Sequence, residues 1–559
     1  MLHVISPGEK MSGRSVDGAG GDGVAKRARH APGPAPLLVL SLEFTHSPFS
    51  GNGVLARSLV KGLLACGHTV HVICAKPAPV HAGEERPIAV PEVTGQAASR
   101  LFVHAIQLSP EAGWRRLDEQ SGWREFIEGA ARWMNAKMDE SIHATMDPMS
   151  YRDLANEYVA VDNWMAGMPT MCNELGVSAA IAIDWSGGAA WHAMLDAWRD
   201  KVAGAWWRLI EPSLLYINFR VYSSGLDASL GKWLSEWYDG MESHVLETAS
   251  HAIALSARDQ ASLVSLRPPR SADLEVEILL PCLRGDMEVL ATQQTDETAR
   301  ASHLPAAAKL ALEAVSVGGA GGGRRFVSCV VRASTEKNPL LIADLLEKTR
   351  LPAELSTRGL VPLVCACGPC ADELQRRVRA AAPAAVVLDA FLGPQALAAV
   401  YSATALNLHP CTYDAYGMSL VEAAAFGAPS VVHAGGAVGA TALLGSDGCV
   451  ELDLTAPLPE LASALLASLD AKAALEQTAR VAREKALSWG EGAAGKRLSE
   501  TVARMLERVE RAERAWREER AERDRERVAR ERARAGEPDG ARGGEGGPFT
   551  YAEYLKGCL

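Results

Sequence analysis

From Arg324 onward the chain repeats one pattern five times: a short, nearly uninterrupted apolar run, then a longer segment with helical spacing. The runs are RRFVSCVVR, VPLVCACGP, AVVLDAF, ALNLHP and APSVVHAGG. Runs this short and this apolar suit strands covered on both faces, and strands separated by helices pair in parallel. An earlier series has the same order. PLLVLSLEF precedes the glycine-bearing SPFSGNG, the helical VLARSLVKGLLACG and the strand HTVHVICAKP; AAIAIDW, LLYINFRVYSS, HAIALS and EVEILLPCL follow. The run VGGAGGG, Val317 to Gly323, parts the two series and has the composition of a linker. Two parallel α/β domains in tandem are therefore expected. Between about Pro91 and Met171, where Trp, Met and charge are denser, helices and connections are expected instead.

At 559 residues the chain exceeds what one hydrophobic core supports. A formal net charge of −11 excludes a general nucleic-acid binder, whose footprint is a basic surplus. No apolar run reaches the 18 residues of a membrane span, so no transmembrane anchoring is expected. The first 35 residues lack the continuous apolar centre of a signal peptide and are expected to form a disordered leader. The 11 scattered cysteines suit reduced thiols, and a cytoplasmic location is expected. Near the end, RVERAERAWREERAERDRER places opposite charges three and four residues apart without an apolar stripe. That predicts a long solvated helix, a surface on which a protein partner could dock.

Ligands of doubly wound sheets bind outside the carboxyl ends of the strands. In VVRASTEKNPL, Arg332 ends a strand and Lys337 precedes a helix start; two cations there can hold a phosphate or pyrophosphate, or can be ordinary solvated charges. In YDAYGMSLVEAAAFGAP, Asp414 precedes the turn Tyr416-Gly417-Met418, whose helix amides can bind an oxygen. Glu422, one turn into that helix among alanines, can accept two neighbouring hydroxyls such as those of a ribose. The bland alternative is a pair of acids favoured by the helix dipole. CACGPC, Cys365 to Cys370, lacks a nearby fourth ligand for zinc and suits a strand-ending turn, so no metal is expected there.

The stretch DAYGMSLVEAAAFGAP resembles the signature of the retaining glycosyltransferase family 4, of GT-B architecture: an acid, seven residues, then Glu. The resemblance spans about Pro36 to Met505, strongest in the second half. It implies two Rossmann-like doubly wound domains facing a central cleft, to which the long charged C-terminal helix is added. The expected organisation is a leader at 1–35, an acceptor domain at 36–290 and a linker at 291–323. A nucleotide-sugar donor domain follows at 324–485, then a helix returning to the first domain at 486–506, a solvated helix at 507–535 and a flexible tail at 536–559. Arg332 and Lys337 would bind the donor diphosphate and Asp414 the transferred sugar, while Glu422 would hold the ribose and backbone near Phe391 and Leu392 the base. Tyr416, Gly417 and Met418 would line the donor site, with Gly51 and Gly53 letting the first domain's backbone approach. IDWSGGAAWH resembles an acceptor-side loop carrying Asp184, Trp185, Gly187 and Gly188, with His192 structural. Where many members keep a His in the first domain, this chain offers Asn218 and Arg220. Two departures stand out: Asp414 replaces the usual Glu, and Val331 the usual Gly before Arg332.

The expected function is retaining transfer of a sugar from a nucleotide-sugar donor to an unidentified acceptor hydroxyl, without a metal or other cofactor. The alternative is a non-catalytic sugar-nucleotide binding or scaffold protein on the same fold. A dinucleotide enzyme is disfavoured because SGNG lacks the third glycine of that fingerprint.

Overall fold

The computed structural model describes residues 34, 36–44, 51–76, 90, 92–109, 120–145, 177–202, 213–221, 231–293, 300–316, 324–435 and 437–535. The expected tail, the VGGAGGG run and all of the expected leader but Pro34 lie outside the described residues. The first sheet contains β1 (Leu37–Ser41), β2 (Val70–Lys76), β3 (Leu101–Gln107), β4 (Ala179–Ile183), β5 (Leu214–Ile217), β6 (His251–Ala254) and β7 (Val276–Ile278). Its spatial order is β3-β2-β1-β4-β5-β6-β7, parallel throughout. The second contains β8 (Phe326–Cys329), β9 (Val361–Cys365), β10 (Val386–Leu388), β11 (Thr404–Leu408), β12 (Ser430–His433) and β13 (Val450–Leu452), in the parallel order β10-β9-β8-β11-β12-β13.

The apolar runs form strands because both of their faces are covered. In β1, Leu38 and Leu40 enter one core with Ala180 and Ala182 of β4; Leu37 and Val39 enter another with Ala179 and Ile181. Successive side chains point to opposite faces, so an uninterrupted apolar strand feeds two cores at once. Strand order reverses between β1 and β4, and again between β8 and β11. Segments leaving these four strands diverge, which opens a crevice at their carboxyl ends.

Two strands depart from the expectation. The region expected to hold helices and connections contains β3 as well as the helix Gln120–Thr145. Like β13, β3 is an edge strand; its LFVHAIQ keeps only Leu101 and Ile106 fully buried, so it lacks the apolar continuity that marks central strands.

The helix Ala306–Ser316 packs Ala308 against Phe326, Leu363 and Leu388. A single helix, Glu491–Ala535, runs through both helical segments expected at the carboxyl end. Its first part crosses to the first domain, where Leu498, Val502 and Met505 join the core of Leu59, Leu63 and Val72. Gly62 and Gly495 bring the helix backbones together: a Cβ on Gly62 would stand 2.6 Å from the Glu491 carbonyl oxygen and 2.7 Å from Gly495 Cα. At the crossing, Trp489 Nε1 donates to the Leu280 carbonyl at 2.8 Å, and Leu283 N–H donates to that of Trp489 at 2.9 Å. Farther on, Thr501, Arg497 and Arg504 bind Glu277 of β7, and Arg508 reaches Glu275 and the buried His251. Among the described residues no helix is long and apolar enough to cross a membrane.

Candidate functional site

A cleft of about 800 Å³ lies between the sheets at the two switch points. The first domain lines it with Gly51, Asn52, Asp184 and Arg220. The second contributes Arg332, Lys337, Phe391, Leu392, Asp414, Tyr416, Gly417, Met418 and Glu422. Gly53 does not line it; this glycine is buried in the first turn of the helix Gly51–Ala65. Gly51 does approach the second domain, for a Cβ there would sit 3.3 Å from Met418 Sδ.

Lys337 ends the single 3₁₀ turn Thr335–Lys337 after β8, and Asn338 closes that turn with a left-handed φ of 48°. Asn338 Nδ2 donates to the Pro410 carbonyl at 3.3 Å, tying this loop to the one after β11. The result sets Lys337 Nζ 2.7 Å from Asp414 Oδ2, with His409 Nε2 3.2 Å from the same oxygen. Burial pushes the Asp414 carboxyl up, but the charges of Lys337 and His409 outweigh it and hold it well below the carboxylate range. Burial likewise lowers His409 and Lys337, and their neighbours win again: Cys411 and Asp414 lift His409 to about 9, and Asp414 lifts Lys337. The floor of the cleft is thus a carboxylate held between two cations.

Arg332 stands apart from this trio. Its Nε donates to Ser334 Oγ at 3.1 Å, its guanidinium pairs with Glu336, and its side chain is 41% exposed. Against burial, Ser334 and Arg332 hold Glu336 down at about 2.

Glu422, one turn into the helix Met418–Ala425, is buried and faces Arg284, whose Nε lies 3.4 Å away and also pairs with Asp286 at 2.8 Å. Burial raises the Glu422 carboxyl, and Arg284 only partly opposes this. Gly417 starts the helix at φ 86°, where a Cβ would press Leu420 and Val438 at 3.1 and 3.3 Å. The first amides beyond it, at Met418 and Ser419, belong to cleft-lining residues and lack intrahelical acceptors. The Tyr416 phenol is committed elsewhere, donating to the Pro281 carbonyl at the crossing between domains. Phe391 and Leu392 stand on the rim, in the loop after β10, and Phe391 is exposed.

Opposite lies Asp184, buried, with φ 61° at the end of β4. Asn52 Nδ2 donates to Oδ2 at 3.4 Å, whereas Oδ1 has no hydrogen-bond partner among the described residues. Burial lifts its carboxyl to about 6, against the Trp185 amide and Arg220. The expected acceptor-side loop is instead the start of the helix Asp184–Val202. Gly187 and Gly188 serve packing: Cβ atoms there would stand 2.6 Å from the Leu40 carbonyl oxygen and 2.3 Å from Val245. Trp185 packs against Trp123, Trp237 and Tyr238, and His192 is buried beside Thr248 and stacked on His244. Asn218 is buried and donates to Glu242 at 2.8 Å, so it does not present its amide to the cleft; Arg220 does line it. The CACGPC turn is pinned by backbone: Ala333 N–H donates to Cys367, and Cys370 N–H donates to Ala333, both at 2.7 Å.

Sequence reasoning missed His409 and Arg284. His409 stands at the carboxyl end of the strand run ALNLHP, and a search of every strand end for titratable side chains would have found it. Arg284 leaves no such trace, since its partner lies 138 positions away, at Glu422.

No protein-family model and no curated protein matches this sequence. Solved structures do resemble it. Sucrose-phosphate synthase from Thermosynechococcus elongatus aligns with a TM-score of 0.56 at 15% identity, covering 84% of this chain and 99% of that one. Anabaena HepE in complex with UDP and glucose gives 0.51 at 13%, with 84% and 99% covered. Trehalose-6-phosphate synthase from Burkholderia multivorans gives 0.52 at 13%, with 86% and 99% covered. At such identities the likeness establishes the fold, which is GT-B: two Rossmann-like domains facing a cleft.

Proposed function

We propose that this protein is a retaining glycosyltransferase, of the family 4 type, that moves a sugar from a nucleotide-sugar donor to an acceptor hydroxyl without a metal. The observation that carries the reading is convergence. The loop after β8, the loop after β11 and the helix start at Met418 bring Lys337, Asp414 and the first-turn amides to one cleft, with Arg332 beside them. The fold neighbours support it: HepE was solved with UDP and glucose, and a trehalose-6-phosphate structure from E. coli with UDP-2-fluoro glucose.

In this reading Arg332 and the amides at Met418 and Ser419 take the diphosphate, and Lys337 stabilises charge developing on it as the donor bond breaks. Glu422, steadied by Arg284, takes the ribose, and the rim at Phe391 and Leu392 takes the base. Asp414 receives a hydroxyl of the transferred sugar. Asp184 and Arg220 face the acceptor across the cleft. The leaving phosphate accepts the acceptor's proton, so no separate protein base acts.

The test is thermal stabilisation of the protein by UDP, GDP and ADP, with Arg332→Ala alongside. A nucleotide at a hundred times its Kd stabilises by about 2.7 kcal/mol. One nucleotide stabilising the wild type and not Arg332→Ala identifies the donor class, and turnover of the matching sugar donor completes the case. Stabilisation without turnover of any donor favours the scaffold alternative, and no stabilisation at all defeats the donor assignment.

A further inference from the structure

Three clusters of ligating side chains present themselves: His251 with Glu275 and Glu277, the stacked pair His71 and His104, and His409 and Cys411 beside the cleft's Asp414. Arginines of the C-terminal helix already fill the first, and the second offers only two ligating nitrogens. The third carries an inference.

One ligating atom from each of His409, Cys411 and Asp414 lies within 4.8 Å of the other two, and all three residues are buried. His409 Nε2 is 3.2 Å and Cys411 Sγ 4.0 Å from Asp414 Oδ2. A tetrahedral ion with nitrogen and oxygen at about 2.0 Å and sulfur at about 2.3 Å sets its ligands roughly 3.3–3.6 Å apart, so small side-chain shifts complete the geometry. His409 supplies the independent observation. Neither of its ring nitrogens has a hydrogen-bond partner among the described residues, and the contact with Asp414 is an ion-pair distance without hydrogen-bond alignment. Its ring is held only by the charge of Asp414, 3.2 Å away, so an ion that replaces its Nε2 proton keeps that attraction and gains a ligand bond.

We propose that His409, Cys411 and Asp414 form a site for one divalent cation of the zinc class, taken up in exchange for the Lys337 ammonium. The donor set selects the ion: thiolate, imidazole and carboxylate suit zinc or cobalt, whereas magnesium and calcium require oxygen ligands. Three protein ligands leave a fourth position, and His409 and Asp414 both line the cleft, which gives the ion a route in. Lys337 Nζ, 2.7 Å from Asp414 Oδ2, occupies the charge position that the ion would take. If the donor reading holds, uptake of the ion blocks the subsite and inhibits. Binding itself does not depend on that reading.

The experiment titrates the reduced full-length protein with Co²⁺, a visible stand-in for zinc. One equivalent is expected to give tetrahedral d–d absorption with a thiolate charge-transfer band, both bleached by Zn²⁺. Cys411→Ser loses the charge-transfer band, Cys367→Ser keeps it, and Lys337→Met tightens binding by removing the competing ammonium. A band that survives Cys411→Ser or disappears in Cys367→Ser overturns the assignment, as does failure to bind. Unchanged affinity in Lys337→Met overturns the exchange. Nucleotide-induced stabilisation is then measured with and without one equivalent of Zn²⁺. Suppression in the wild type but not in Cys411→Ser supports inhibition, and full stabilisation with zinc bound refutes it. A nucleotide that fails to stabilise even the metal-free protein defeats the donor reading and leaves the cobalt result standing.

Discussion

Asp184 shows what one side chain can contribute to two properties at once. Its carboxyl titrates near 6 because burial disfavours the charge, while in the unfolded chain it titrates near 3.8. Between those values the folded protein keeps a proton that the unfolded chain has released. Stability is therefore gained as pH falls through 6 and lost as pH rises through it. Asp184→Asn removes that dependence and still tolerates φ 61°. It should raise the melting temperature at pH 8, by an amount worth at most about 3 kcal/mol, and leave it nearly unchanged at pH 4. Calorimetry at the two pH values decides; a gain at pH 4 equal to that at pH 8 would refute the cause. The cations across the cleft differ similarly. Arg332→Ala should cost no more than about 1 kcal/mol, because a partly exposed pair with Glu336 and one hydrogen bond to Ser334 are lost. Lys337→Ala should cost about 1–3 kcal/mol in urea unfolding, since it strips a partner from the buried Asp414. For that reason Arg332 is the cleaner probe of nucleotide binding.

Legibility in the sequence divides along the same line. The apolar runs that became β1, β4, β8 and β11 were readable because each is buried on both faces, and the residues just beyond them are those that line the cleft. Asp414 and Glu422 were readable because eight positions on one turn and helix fix their relation locally. What escaped were the edges and the long-range partners. β3 and β13 alternate too weakly to stand out, and Arg284 meets Glu422 only after the chain has crossed between domains. At this scale the Gly62–Gly495 contact is the sharpest device, two helices touching backbone to backbone. Gly62→Val should destabilise by about 1–3 kcal/mol through overpacking, with Gly495→Ala adding less than its own cost when the two are combined. Full additivity in the double variant would show that the two sites do not share one contact.

For the whole molecule, the two crossings, near Leu280–Arg284 and Ser488–Glu491, stand side by side, joined by the bonds between Trp489, Leu280 and Leu283. A chain ending after Arg511 retains the buried contacts that the last helix makes through Leu498, Val502 and Met505, and should melt as the full chain does. A chain ending at Gly490 uncovers the apolar face of the helix Gly51–Ala65 and should fail to fold cooperatively. Circular dichroism melts of both truncations test this directly. Equal melting of the two would refute the packing role of the returning helix.

Leu498, Val502 and Met505 complete a core whose other members, apart from Trp489 and Leu506, all precede residue 280. On the ribosome, more than 200 residues are made between the body of the first domain and the piece that closes it. The first domain to be synthesised is thus the last to be finished. It waits with a greasy groove open while the second folds, and chaperones have most to protect during that interval.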